Sequence, residues 1–204
     1  MSAIQREPPS KKEYSQNILV KITSYHEREL RKSAETNSKM QFLNINVKGL
    51  NGRPHPALRG AFTTKESQKL RAHIKLLSSD LYTYEIKASY QGGSPHCRFC
   101  EGSDTKSSPS ENISHILTKC SAYSNIRNRI FHQMEILCSS SNSGINFKKI
   151  LSSNQLSQFV LDCTSLNLPM RINESDEICE RLFKLSRDLC SGIIKTRSNL
   201  IKQL

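Results

Sequence analysis

The stretch that most constrains this chain is CRFCEGSDTKSSPSENISHILTKC, from Cys97 to Cys120. Its spacing is C-x2-C-x14-H-x4-C, written by Cys97, Cys100, His115 and Cys120. Two cysteines two residues apart can hold one ion from a single tight turn, and a later His and Cys complete a tetrahedral set. Zinc favours such thiolate and imidazole sets, and Cys3His closes its coordination shell. The expectation is therefore one structural Zn2+. The loop between the half-sites is polar and holds Pro109, so it can bulge into solvent without a core. Ile113, Ile116 and Leu117 flank His115 and can cover one side of the ion.

Other assignments of these residues are weaker. His96 adjoins Cys97, and adjacent ligands chelate awkwardly. His132 lies further on, in a segment explained by packing. A redox role for Cys97–Cys100 lacks the βαβ context of thioredoxin-like sites. Cys138, Cys163, Cys179 and Cys190 are scattered among helical patterns, where buried free thiols are the ordinary outcome. Seven cysteines is an odd count that fits a disulfide framework poorly. The opening MSAIQREPPSKKEYSQ has no apolar h-region, so the expectation is an intracellular protein, nuclear or cytoplasmic and not secreted. No run of about 18 apolar residues is present, which excludes a membrane partner for a spanning helix.

Charge adds a second bound. Thirty Lys and Arg against eighteen Asp and Glu give +12, which favours a polyanionic partner, nucleic acid first and an anionic membrane surface second. A solvated cationic surface is the plain alternative.

Periodicity makes the fold mainly α: a helical scaffold carrying a small Cys3His zinc-knuckle insertion, with one short strand where Leu43, Ile45 and Val47 alternate with polar residues. The chain divides into a tail (1–11), a basic helical region (12–95), the zinc module with its following helix (96–138), a linker (139–145) and a C-terminal helical region (146–204). Tyr14, Ile18, Ile22 and Tyr25 share one face of a helix over 12–31, with Lys21, Arg28, Arg31 and Lys32 enriching its polar surface. The rigid loop after the strand holds His55 between two prolines. Thr63-Thr64-Lys65-Glu66 is a capping-box pattern that starts a helix with Leu70, Ile74 and Leu77 on one face. A second helix covers 81–90. Beyond Cys120, Tyr123, Ile126, Ile130, Met134 and Leu137 recur at helical intervals, with Arg127 and Arg129 projecting elsewhere. Short helices are expected over 146–152 and 154–163. In the last helix, starting near 173–175, Ile178, Leu182, Leu185, Leu189 and Ile193 form a stripe for core packing or, alternatively, for a protein partner.

The Cys/His block, continuing through HILTKC and SAYSNIRNRI, resembles the zinc-binding segment near the C-terminus of non-LTR (LINE-type) retrotransposon reverse transcriptases. FLNINVKGLNGRPHPALRG and KLRAHIKLLSSDLYTYEIKASYQGGSPHC are similar to the stretch preceding it in arthropod-type elements. The resemblance implies a part that helps hold template RNA or target DNA during target-primed reverse transcription. RNA or single-stranded DNA is then the expected partner. Arg98 and Phe99 in the first knuckle would supply a phosphate contact and a stacking face, with Lys119, Arg127 and Arg129 close by. Alternatively Phe99 packs on the knuckle and the basic residues are solvated.

Polymerase activity is not implied. Its centre uses paired aspartates to hold two metal ions, and this chain has no Asp-Asp pair. There is no room for an endonuclease module, no G-x-S-x-G elbow and no phosphate loop. No residue is assigned a catalytic role. The expectation is a nonenzymatic C-terminal fragment. The alternatives are a helical protein-interaction scaffold with a purely structural zinc, or a decayed retroelement frame without selected function.

Overall fold

The computed structural model describes residues 10–36, 42, 63–100, 108–140, 144–166 and 172–203. Among these the fold is helical, as the periodicity predicts, and only an isolated antiparallel bridge between His96 and Ser110 is extended pairing. The expected strand at 43–47 and His55 lie outside the described residues.

The helices are α1 (Lys11–Thr36), α2 (Thr64–Leu77), α3 (Tyr84–Gln91), α4 (Ile113–Thr118), α5 (Ser124–Ser140), α6 (Phe147–Leu151), α7 (Leu156–Leu161) and α8 (Ile172–Lys202). Their starts are written locally. Thr63 caps α2 by accepting from the Glu66 N–H, Thr83 caps α3 through Ile86, and Asn146 caps α6 through Lys149. Each hydroxyl or amide oxygen satisfies a backbone donor that the first helical turn leaves unpaired. Because Thr83 takes the cap, α3 begins three residues later than the pattern suggests, and Leu81 is buried ahead of it.

The organising element is α8, which packs along α2 and α5 and also meets α7 and α4. Ile178, Leu182, Leu189 and Ile193 are all buried and Leu185 is half-buried, so the predicted stripe is spent inside the chain. Phe183, Cys179 and Cys190 widen that buried face. Opposite it stand Ile130, Met134 and Leu137 of α5 and Leu76 and Leu77 of α2. Gly192 lets α5 approach closely, since a Cβ there would sit 3.0 Å from Ile126 Cγ2.

Two faces differ from their periodic reading. In α2 the buried side chains are Ala72, His73, Leu76 and Leu77, while Ile74 is exposed. The helix is rotated so that His73 Nε2 reaches the Leu161 carbonyl at 2.8 Å and its ring meets Phe183. In α1 the stripe Tyr14, Ile18, Ile22, Tyr25 is regular yet exposed, and no other described element packs substantially against it. Ser140 still belongs to α5, and Ile145, just ahead of α6, is buried in the same core cluster as α5.

Candidate metal centre

The two half-sites are brought together by short backbone clips. Cys97 N–H donates to the Pro109 carbonyl and Glu111 N–H to the Pro95 carbonyl, both at 2.9 Å. These clips set residues 95–97 beside residues 109–111. Asn112 then caps α4, its side-chain oxygen accepting from the His115 N–H at 2.8 Å. The helix lasts barely two turns. Its end folds Lys119 N–H and Cys120 N–H back onto the His115 carbonyl, at 2.9 and 2.8 Å. That turn places Cys120 beside His115, as H-x4-C requires.

All four expected ligand atoms converge within 4.8 Å of one another. Cys97 Sγ lies 3.7 Å from Cys120 Sγ, Cys100 Sγ 3.8 Å from Cys120 Sγ, and Cys100 Sγ 3.3 Å from His115 Nε2. A tetrahedron with zinc–sulfur bonds near 2.3 Å has sulfur–sulfur edges of about 3.8 Å, and sulfur–nitrogen edges slightly shorter. The donor set thus fits one tetrahedral metal ion, and among the described residues it is the single such cluster. Cys97, His115 and Cys120 are buried and Cys100 is half-buried. Ile113, Ile116 and Leu117 are buried beside them, as their positions predict. Four protein ligands leave no open position for a water, so the set suits structure rather than catalysis.

The electrostatics point the same way. A bond from Cys120 holds the Cys97 thiol well below its ordinary range, and that same bond pushes Cys120 up. Two thiols this close share a proton because two adjacent thiolates repel each other in low dielectric. A divalent cation held there would supply positive charge, and its binding would release the protons.

A layer of other side chains surrounds the ligands. Arg127 does not project from α5 as expected. It is buried, and its Nη1 donates to the Cys120 carbonyl at 2.9 Å, fixing the turn that carries the last ligand. Burial lowers its basicity. Arg127, expected as a phosphate contact, is engaged within the core by the Cys120 carbonyl. Phe99 is half-buried against Tyr84, ring centroids 5.8 Å apart, and the Arg197 guanidinium lies 5.8 Å from its ring, so packing claims much of this aromatic face. Arg98 is exposed, 5.2 Å over the Tyr84 ring. Lys119 and Arg129 are exposed. Of the alternative ligands, His96 serves the bridge to Ser110 and His132 is exposed on α5.

The residues that sequence reasoning missed are Glu111, Arg197 and Tyr84. Glu111 is fully buried, accepts the Tyr84 N–H at 2.6 Å, and forms a bidentate pair with Arg197. It is therefore engaged as structure and does not stand open as a general base. The remaining cysteines are buried thiols, as expected. Cys163 and Cys179 lie 3.9 Å apart, and burial raises Cys138 to about 11.

Comparison with protein-family models, with curated proteins and with solved structures finds no match. No described helix is long and apolar enough to cross a membrane.

Proposed function

We propose that this chain is a zinc-organised, nonenzymatic nucleic-acid-binding module, derived from the C-terminal region of a non-LTR retrotransposon reverse transcriptase. The observation that carries the reading is the converged Cys97, Cys100, His115 and Cys120 set with exposed cations, Arg98 and Lys119, beside it. Thiolate-rich four-ligand sets select zinc among the abundant divalent ions. The retroelement origin is supported by the motif pattern alone. The net charge of +12 supports a polyanionic ligand.

In this reading the metal orders the knuckle, and Arg98, Lys119 and Arg129 meet phosphates around it. Arg127 and Phe99 act mainly as supports. The test is binding of the zinc-loaded chain to single-stranded RNA and DNA across a salt series. Affinity that falls steeply with salt is expected, because each phosphate contact releases counterions. Undetectable or salt-insensitive binding overturns the nucleic-acid part. A purified chain without stoichiometric zinc overturns the metal part.

A further inference from the structure

Helix α1 is unlike every other long helix of the fold. Its described side chains are exposed, Glu29 alone being half-buried, and no other described element packs substantially on it. It starts with a reciprocal capping box, Glu13 N–H to Ser10 Oγ at 3.3 Å and Ser10 N–H to Glu13 Oε2 at 2.8 Å. The start is thus specified locally, with no help from a core.

One side of the helix is chemically distinctive. At 3.6 residues per turn, Lys11, Tyr14, Ile18, Ile22, Tyr25 and Lys32 fall on one side, with Lys21 and Arg28 along its edge. The two tyrosines are 59% and 52% exposed. The Arg28 guanidinium already lies 5.6 Å over the Tyr25 ring. Glu29 is the one acid on this side among the described side chains.

This interleaving selects the occupant. A protein core laid on the stripe would have to desolvate Lys11, Lys21, Arg28 and Lys32 without partners. A membrane surface is best served by an apolar face separate from the basic one. A single strand of nucleic acid wants both groups together: cations for successive phosphates and aromatic faces for unstacked bases. Tyr14 and Tyr25 stand about 16 Å apart along the axis, so one strand can reach both. We infer that the Tyr14–Lys32 face of α1 is a docking surface for single-stranded nucleic acid, separate from the knuckle. The inference rests on the nucleic-acid reading above and adds to it a second contact region.

The experiment measures fluorescence anisotropy of a labelled, unstructured single-stranded RNA with the full zinc-loaded chain, at several salt concentrations. Lys21→Gln with Arg28→Gln is expected to weaken binding about tenfold at low salt. The log–log salt slope should fall by about 0.7 for each cation removed. Tyr14→Ala with Tyr25→Ala is expected to cost about fivefold or more while leaving the slope nearly unchanged. Far-ultraviolet circular dichroism and metal content report that both variants remain folded. If the parent chain binds RNA and both variants bind equally well, this inference fails while the broader reading survives. If the parent chain does not bind, the broader reading itself fails. A concentration-dependent dimer, or binding to phosphatidylserine vesicles, that these substitutions abolish while RNA affinity is unchanged would reassign the face and overturn the inference.

Discussion

Arg197, near the end of α8, lays its guanidinium fork on the carboxylate of Glu111, with Nε to Oε1 at 3.1 Å and Nη2 to Oε2 at 3.0 Å. The acid is fully buried and the arginine nearly so. Arg197 also lies 5.9 Å from the Tyr84 ring and 5.8 Å from that of Phe99. One pair thereby ties the C-terminal helix, α3 and the first knuckle together. Removing one partner strands the other charge in low dielectric, so Arg197→Met or Glu111→Leu alone is expected to cost about 3–5 kcal/mol. The double variant should be far less damaged than the sum, because neither charge is left behind. Urea denaturation of the four proteins in a double-mutant cycle measures this, and additive losses would refute the coupling.

The metal set predicts a stoichiometry and a pattern of loss. Elemental analysis of the purified chain is expected to find about one metal ion per molecule, absent after Cys100→Ser or His115→Ser. Chelation should cost stability, because the free energy of metal binding is also folding free energy. Its effects should not be uniform. Amides of residues 95–100 and 108–123 should lose hydrogen-exchange protection first, since their order depends on the clips around the ligands. The α5–α8 contact should persist, because its side chains bury one another without the metal. Equal loss across α8 and the knuckle would mean that the metal holds the whole core.

How far the sequence discloses this structure depends on whether the cause is local. The Cys/His spacing, the Thr63 cap and the five-residue stripe of α8 are short-range patterns, and each has its structural counterpart. Periodicity also places Tyr14 through Tyr25 on one face, but it cannot say whether anything covers that face. In α2 the period is ambiguous, and the rotation that hides His73 and exposes Ile74 is chosen by Leu161 and Phe183 from elsewhere in the chain. Arg127 reads as a surface cation because nothing near it in sequence shows that its guanidinium turns inward to the Cys120 carbonyl. Glu111 and Arg197 lie 86 residues apart and leave no joint signature at all.

The contrast between Arg127 and Arg129 is testable directly. Both are arginines of α5, one buried on the Cys120 carbonyl and the other exposed. Arg127→Ala removes a charge-assisted bond and leaves the Cys120 carbonyl with only the Tyr123 N–H, at 3.3 Å, an expected loss of about 1.5–3 kcal/mol. Since that bond fixes the turn carrying a ligand, metal affinity should fall by about tenfold or more. Arg129→Ala is expected to stay within about 0.5 kcal/mol of the parent. In an RNA titration it should act mainly on the salt slope. Thermal unfolding with competitive metal titration separates the two, and equal effects would mean that the burial of Arg127 carries no energy.

Lys69 gives a pH dependence with a definite sign. Its Nζ lies 2.8 Å from Glu66 of its own helix and 2.6 Å from Asp188 of α8. The bond to Asp188 and then the bond to Glu66 raise the lysine above its ordinary value. The folded chain therefore holds this proton more tightly than the unfolded chain, whose lysine titrates near 10.4. The resulting stabilisation is fully present below that unfolded value and is lost as pH rises through the raised folded one. Urea midpoints of the parent and Lys69→Met, compared from pH 8 to 11.5, should differ by a constant amount up to about pH 10 and converge above it. Taking the difference between the two proteins cancels the titration of the cysteines and tyrosines they share. A gap that widens with rising pH would show that the bridge between α2 and α8 does not contribute as the geometry requires.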